Sequence, residues 1–501
     1  MREAETAITQ LPSNERDVYR KIVADRIDRL QQQNPSHRPH PETKLIKSIQ
    51  AKLQENNATI TRADKGNSIV ILPTDHYENK IEKFISEYNF HTVTKDPTNT
   101  FQPQIRNTVK QSKTLIPKDS QWKYINMNPS APSIKGLIKI HKQDQPIRPV
   151  INWRNAPAYR LSKLFTHKIN HLSPLPYAFN IRNTHNLIQN LNDTPMLPQY
   201  TLASLDITNL YANIPVSETK LILSNILEHQ LIDSQSQQDF LRWYGVITKQ
   251  NYFSHNKNTI TQQDGLAMGA PASGLIAEIF LQHLEHLHLT HKHHIVNYCR
   301  YVNIFLIFDC HHTNIQSILD DFNTLHPKIQ FTAETEKDHA LNYLDITIQR
   351  TPTNFRIAIY RKPTFTDSII TYNSNHPTHH KYAAIRFMFN RLNSYKLQHE
   401  EYQQELNIIH NILQNSSFPI KLHILKPAQP KEPKTPKKWA SFTYTGRETS
   451  YITNVFRHTD LKIALRTKNT IENLLTHQNP PSDIQGVPGG MCETSGECSL
   501  C

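Results

Sequence analysis

The residues best placed to do chemistry are an aspartate that ends a short apolar strand and an asparagine in a tight turn. In TLASLDITNLYANIP (Thr201–Pro215) the strand ends in Asp206, and Tyr211 follows. In CRYVNIFLIFD (Cys299–Asp309) a strand, a turn and a second strand place Asn303 where two adjacent aspartates are expected. Carboxylates on adjacent strands can hold two divalent ions, which activate a 3′-hydroxyl and stabilise a departing pyrophosphate. Asp206 is a ligand of that kind. Asn303 supplies only a neutral amide oxygen, a poorer donor to a hard cation. Asp309 sits at the opposite end of its strand, too far away at about 3.3 Å per residue to join Asp206.

A third segment, QDGLAMGAPASGLIAEIFL (Gln263–Leu281), enters a helix through a Gly-Ala-Pro turn. Gly269 permits close backbone approach to a base pair, and Pro271 suits the first helical turn. Gln263 and the unsatisfied amides of that turn can contact a template–nucleotide pair. Leu275, Ile276, Ile279, Phe280, Leu284 and Leu287 then form a broad apolar face. Tyr211 reads either as a residue under the nucleotide sugar that excludes a 2′-hydroxyl or as a core tyrosine.

Cations come from two stretches. ADKGN carries Lys65 in a glycine-containing turn before NSIVIL (Asn67–Leu72), which reads as a buried strand. SIKGLIKIHKQDQPIRPVINWR (Ser133–Arg154) reads as a strand, loop and strand bearing Lys135, Lys139, Lys142 and Arg148. Arginine offers phosphate a planar fork and lysine a point charge, so Lys65 and Arg148 suit a triphosphate. The alternative is a solvated basic loop.

The elements that must position these residues fit a large α+β chain. Its 501 residues, 37% of them hydrophobic, allow two to four domains with real cores. Lysine and arginine number 56 against 43 acidic residues, and 28 histidines add charge below neutrality. A polyanion is the natural partner. The polar opening lacks the apolar stretch of a signal peptide, and no run has the length of a membrane span. Five cysteines form no disulfide pattern, which fits a reducing compartment. Near the start, Ser13 is the expected cap of a helix that packs through Val18, Ile22, Val23, Ile27 and Leu30, broken by the prolines of Asn34–Glu42.

In order and spacing the chain resembles the reverse transcriptase of a Penelope-like retroelement. The resemblance runs from roughly Ala58 to Leu475 and rests on TRADKGNSIVIL, GLIKIHKQDQPIRPVI, LDITNLYANIP, DGLAMGAP and FTAETEKDHALNYLDITI. The stretch YRKPTFTDSIITYNSNHPTHHKYAAIRFMFNRL (Tyr360–Leu392) is its most specific part. The family implies an α+β right-hand polymerase fold of fingers, palm and thumb, with an antiparallel palm sheet. Activity would be RNA-templated DNA synthesis with magnesium or manganese, from an RNA template, a DNA primer and deoxynucleoside triphosphates, in the nucleus.

By that resemblance Asp206 and the backbone carbonyl of Ile207 would hold metal, with Asn303 at a degenerate catalytic position. Lys65, Arg148, Tyr211, Gln263, Gly269 and Pro271 would surround the nucleotide. Lys139, Lys142, Arg361, Lys362 and Lys381 would contact nucleic acid, Lys337 would lie near the leaving group, and Leu341–Gln349 would be a palm strand near the primer grip. The expected segments are a helical N-terminal extension (1–58), fingers (59–198), palm (199–359), thumb (360–425), a Pro/Lys linker (426–438), a connector (439–480) and a truncated tail (481–501). Loss of the Asp-Asp pair implies impaired synthesis, the alternative being a non-catalytic nucleic-acid-binding protein on the same fold. Many relatives continue into a GIY-YIG endonuclease, which this sequence does not complete. Cys492, Cys498 and Cys501 lack an evident fourth zinc ligand, and the histidines at 291, 293 and 294 read as solvated.

Overall fold

A computed structural model describes residues 2–33, 41–66, 68–87, 90–176, 179–262, 264–289, 294–419, 438–467 and 475. The chain divides into two units. One comprises residues 61–70 and 74–364, and the other takes the residues up to 60, 71–73, and those from Phe365 onward.

In chain order the strands of the first part are β1 (Ala58–Arg62), β2 (Ile69–Pro73), β3 (His91–Val93), β4 (Ser133–Ile138), β5 (Ile147–Asn152), β6 (Tyr200–Ile207), β7 (Tyr252–His255) and β8 (Asn258–Thr261). They continue as β9 (Ile295–Tyr301), β10 (Asn303–Asp309), β11 (Phe331–Thr335), β12 (Ala340–Tyr343), β13 (Ile346–Arg350) and β14 (Phe355–Ile359).

The central sheet has the order β11-β6-β10-β9, with all neighbours antiparallel. Helix Ser273–His288 precedes the β9–β10 hairpin and helix Ile315–Thr324 follows it, giving the βαββαβ succession of a split, ferredoxin-like sheet. This is the antiparallel, helix-backed palm of a right-hand polymerase fold, in an α+β chain. One sheet face is apolar by alternation: Ala203, Leu205 and Ile207 of β6 and Ile304, Leu306 and Phe308 of β10 are buried in one core with Ile276, Ile279 and Phe280 of the first helix. Phe322 of the second helix closes that core between Phe331 and Tyr298, at 5.3 and 6.3 Å.

The expected hairpin at Ser133–Arg154 is present as β4–β5, at the edge of a second sheet ordered β3-β8-β7-β4-β5. Other expectations need correction. β2 pairs only with β1 and alternates, leaving Ile69 and Ile71 52% and 60% exposed, because a strand in a two-stranded ribbon covers one face at most. Leu341–Gln349 is not one strand. It turns back at Leu344 (φ +55°) and Asp345, so that Tyr343 faces Ile346 in a separate sheet β12-β13-β14. Leu287 falls off the buried face of its helix and is half exposed.

In the other unit, helix Arg16–Gln33 begins three residues beyond Ser13, and of its apolar positions Val18 and Ile22 face solvent. Val23 is buried, in a core with Ala4, Ala7 and Ile8 of helix Arg2–Ile8 and with Phe442 and Phe456. That core lies on the parallel pair β15 (Lys438–Thr443) and β16 (Leu461–Arg466), joined by helix Arg447–Thr453. The Glu3 carboxylate accepts from the Thr443 amide and hydroxyl at 2.7 and 2.8 Å, tying the first helix to β15. Helices Thr378–Ser394 and His399–Asn415 share a separate core of Ile385, Met388, Leu392, Ile409 and Ile412.

Candidate polymerase site

Asp206 lies at the exposed end of β6, on the face opposite the helical core. β10 runs antiparallel to β6 with Ile304 opposite Leu205, and one further step of that register sets Asn303 opposite Asp206. The β9–β10 connection is a single residue. Tyr301 pairs with Asn303, and Val302 between them stands at φ +64° with 59% exposure. A β-branched residue is strained there, the local consequence of a connection one residue long. Tyr343 compensates. Its hydroxyl donates to the Asn303 carbonyl at 2.6 Å and accepts from the Tyr301 amide at 3.2 Å, while its ring packs on Phe305 at 5.4 Å.

The donor set at this point is one carboxylate between the Asn303 amide on β10 and Thr332, its register partner on β11. Among the described residues no group of three histidine, cysteine, aspartate or glutamate side chains is placed to hold a metal ion. Two divalent ions need bridging carboxylate charge to offset their mutual repulsion, so the residues present do not fit a two-metal centre. Asp309 does not supply the missing charge. It pairs with Tyr200 at the far end of β10 and contacts His312 at 3.2 Å.

The loop before helix Ser273–His288 is held against two neighbours. Gly265 (φ +86°) lies so close to helix Leu210–Asn213 that a Cβ would stand 2.4 Å from the Ala212 carbonyl oxygen, and at Gly269 (φ +100°) a Cβ would stand 2.2 Å from that of Ile151 in β5. The close approach expected of Gly269 is therefore to protein backbone. Asp264, which sequence reasoning left without a role, accepts from the Val216 and Gly265 amides, both at 3.0 Å, and forms an ion pair with Lys328. Burial alone would raise its pKa, yet Lys328 and the two amides hold it below the ordinary value. Tyr211, on the short helix that Gly265 abuts, is 37% exposed, so the core reading of that residue does not hold. Pro271 lies in the turn two residues ahead of the helix, where its carbonyl accepts from the Thr166 hydroxyl.

Lys65, Lys139, Lys142, Arg148 and Lys362 gather in one electrostatic cluster. Burial, then the charge of Lys362, pushes the Lys65 ammonium below its ordinary pKa, with Arg148 and Lys142 adding to the effect. Burial, then Lys142 and Arg148, lowers Lys139, whereas Asp64 and Asp206 pull it upward. His141 is lowered by burial and by Lys65. Lysines whose protonated form is opposed by neighbouring cations form a site that gains from an anion. The anion already present is Asp64, 2% exposed, whose Oδ1 is 3.0 Å from Arg148 Nε.

Sequence reasoning also missed Arg300. This residue of β9 is 3% exposed and makes paired contacts to Glu285 (2.6 and 3.0 Å) and Glu278 (2.7 and 2.9 Å) on helix Ser273–His288. Asn180 and Gln282 donate to the same Glu278 oxygen, both at 2.7 Å. Burial would raise Glu278, but Arg300, with Gln282 and Asn180, holds it below the ordinary glutamate value. The network clamps the hairpin strand to the helix. Only the adjacency of Arg300 to the turn hinted at it.

Arg361 and Lys362 follow β14, both half-buried. Lys381 belongs to the other unit, where its ammonium donates to the Tyr372 carbonyl at 2.7 Å and lies 5.8 Å from the Tyr372 ring centre. Lys337 closes a small turn, its amide donating to Ala340. Gln263, His291, His293, Cys492, Cys498 and Cys501 lie outside the described residues. Among the described helices none is long and apolar enough to cross a membrane.

The model of an animal helix-turn-helix domain matches residues 368–427, the part containing helices Thr378–Ser394 and His399–Asn415. No curated protein matches the chain. Among solved structures it is similar to telomerase from Candida albicans in complex with a fragment of telomeric RNA, at 10% identity over 74% of this chain and 64% of that one, with a TM-score of 0.48. It is also similar to the Sicinivirus 3Dpol RNA-dependent RNA polymerase (13% identity, 71% and 84% coverage, TM-score 0.39). A third is the RNA-dependent RNA polymerase of a human picobirnavirus (11% identity, 82% and 85% coverage, TM-score 0.39). The chain spans less than two thirds of the length of that Candida albicans telomerase.

Proposed function

We propose that this chain is a reverse-transcriptase homologue of Penelope-like retroelement type that binds primed RNA template and triphosphate but is severely impaired in nucleotidyl transfer. The observation that carries this reading is a cation cluster whose Lys139 feels the charge of Asp206, while the strands on either side bring Asp206 only Thr332 and the amide of Asn303, and no second carboxylate. The cluster answers the charge of a triphosphate, and Asp206 is where an intact site would hold magnesium or manganese. Metal stabilisation is worth several kcal/mol, so its loss lowers the rate by at least on the order of 10³. The second reading, a nucleic-acid-binding protein without turnover, is favoured by the lone carboxylate and predicts salt-sensitive binding of primed template. A nuclear site of action belongs to the same proposal.

The test is primer extension on an RNA template with magnesium and with manganese. It compares the unaltered protein, Asp206→Ala, and a chain carrying Asn303→Asp with one further aspartate inserted after it. Extension only by the restored chain supports the proposal. Extension by the unaltered protein that disappears in Asp206→Ala overturns the impairment, and absence of salt-sensitive template binding overturns both readings.

A further inference from the structure

We infer that Asp64 is a resident counter-anion that competes with a bound polyphosphate for the cations of the pocket, setting how tightly a triphosphate or pyrophosphate is held. The inference rests on the proposed nucleotide site and concerns a residue to which that proposal gives no role.

Asp64 is fixed from both sides. Its amide donates to the Ile138 carbonyl at 2.8 Å, at the end of β4, and the neighbouring Ala63 bridges to Ile138 and donates to Ser68 at 2.9 Å. The carboxylate so placed is 2% exposed, yet neither oxygen has a partner in hydrogen-bond geometry. Such a group is costly to bury unless charge surrounds it. Here it does: Arg148 Nε lies 3.0 Å away, and Lys65, Lys139 and His141 each feel Asp64 as an attractive charge among repelling ones.

The geometry distinguishes a counter-anion from a holder. A carboxylate that orients an arginine does so through aligned, usually paired, hydrogen bonds. The Asp64–Arg148 contact is a close charge contact without that alignment, and the Arg148 side chain remains 55% exposed. Asp64 therefore acts on the pocket through its charge. A polyphosphate entering beside Arg148 and the lysines brings the same sign of charge, gains the cations and is repelled by Asp64. The consequence is a grip weaker than the cations alone would give, which favours release of a pyrophosphate product.

The test uses the full chain, inorganic tripolyphosphate and pyrophosphate, titration calorimetry, and a chelator to exclude divalent ions. Asp64→Asn and Asp64→Ser should each tighten tripolyphosphate binding by about tenfold, the scale of one unit charge a few ångströms away in a partly solvated site. Asp64→Glu, which keeps the charge, should show no such tightening. In an Arg148→Gln background the gain from Asp64→Asn should shrink, since the shared cation is gone. Unchanged or weaker binding in folded Asp64→Asn or Asp64→Ser protein overturns the inference and leaves the nucleotide site standing. No tripolyphosphate binding by the unaltered chain overturns both.

Discussion

Asp206 and Asn303 occupy facing positions on neighbouring antiparallel strands, one step beyond the Leu205–Ile304 pair. That register makes position 303 the place where a second carboxylate would share a metal with Asp206. Asn303→Asp sets like charges across the strands, which costs about 0.5–1 kcal/mol without a cation. The variant should therefore melt below the unaltered protein in chelator and recover on adding millimolar magnesium, because a ligand that binds only the folded state stabilises it. The unaltered protein should show little magnesium dependence. An equal magnesium-induced rise in both proteins would mean that Asp206 and Asn303 already suffice to hold the ion.

Val302 forms the whole of the hairpin tip in the left-handed region and packs little, being 59% exposed. Val302→Gly removes backbone strain and also loosens the unfolded chain, and the strain relieved at a β-branched residue outweighs the entropy added. Chemical denaturation should show a gain of about 1 kcal/mol. A loss would place the turn in another conformation.

Tyr343 takes over the hydrogen bonding that so short a turn cannot make for itself, bridging the Tyr301 amide and the Asn303 carbonyl. Tyr343→Phe keeps the ring on Phe305 and removes only the hydroxyl, leaving two backbone groups to find water. Stability should fall by about 1–2 kcal/mol. Amide exchange at Tyr301 should rise selectively, an effect that loss of packing alone would not confine to one residue.

Gly269 has a conformation and a neighbour that both exclude a side chain: φ is +100° and a Cβ would stand 2.2 Å from the Ile151 carbonyl oxygen. Neither backbone can yield as the end of a flexible side chain would. Gly269→Ala should cost on the order of 3 kcal/mol or more and loosen the loop from β5. An unaffected denaturation midpoint would show that the loop does not pack on β5 in solution.

What the sequence disclosed follows from what local pattern can carry. Strand alternation and a terminal carboxylate located Asp206, and basic residues around a proline-containing loop located Lys139, Lys142 and Arg148. Their collection with Lys65 and Lys362 is long-range, and spacing alone did not impose it. Asp64 is the immediate neighbour of Lys65 in the chain, yet nothing local marks a carboxylate as buried. Arg300 likewise looks like one more surface cation until Glu278 and Glu285, brought round by a helix, close on it. Tyr343 reads as part of a continuous strand, and only the turn at Leu344 brings its hydroxyl to the hairpin. The apolar residues Ile69, Ile71, Val18 and Ile22 misled in the other direction, because hydrophobicity records what can be buried and not which face finds a neighbour.

Glu278 gives the site a defined acid limit. Its folded pKa lies below the ordinary 4.5, so the folded state binds fewer protons than the unfolded state as pH falls toward that range. The stabilisation is fully present above the ordinary value and is lost as pH drops through the lower folded value. Glu278→Gln keeps the shape and removes the charge opposite Arg300, which retains Glu285. At pH 7 the variant should be less stable by roughly 3 kcal/mol, the scale for breaking a buried pair. The deficit should begin to shrink below the ordinary value and approach zero only as pH falls through the lower folded value, where acid neutralises the glutamate of the unaltered folded protein too. Urea denaturation at pH 7 and at successively lower pH measures both. A deficit that stayed constant into acid would assign the loss to altered packing around Arg300, leaving no part of it to the charge of Glu278.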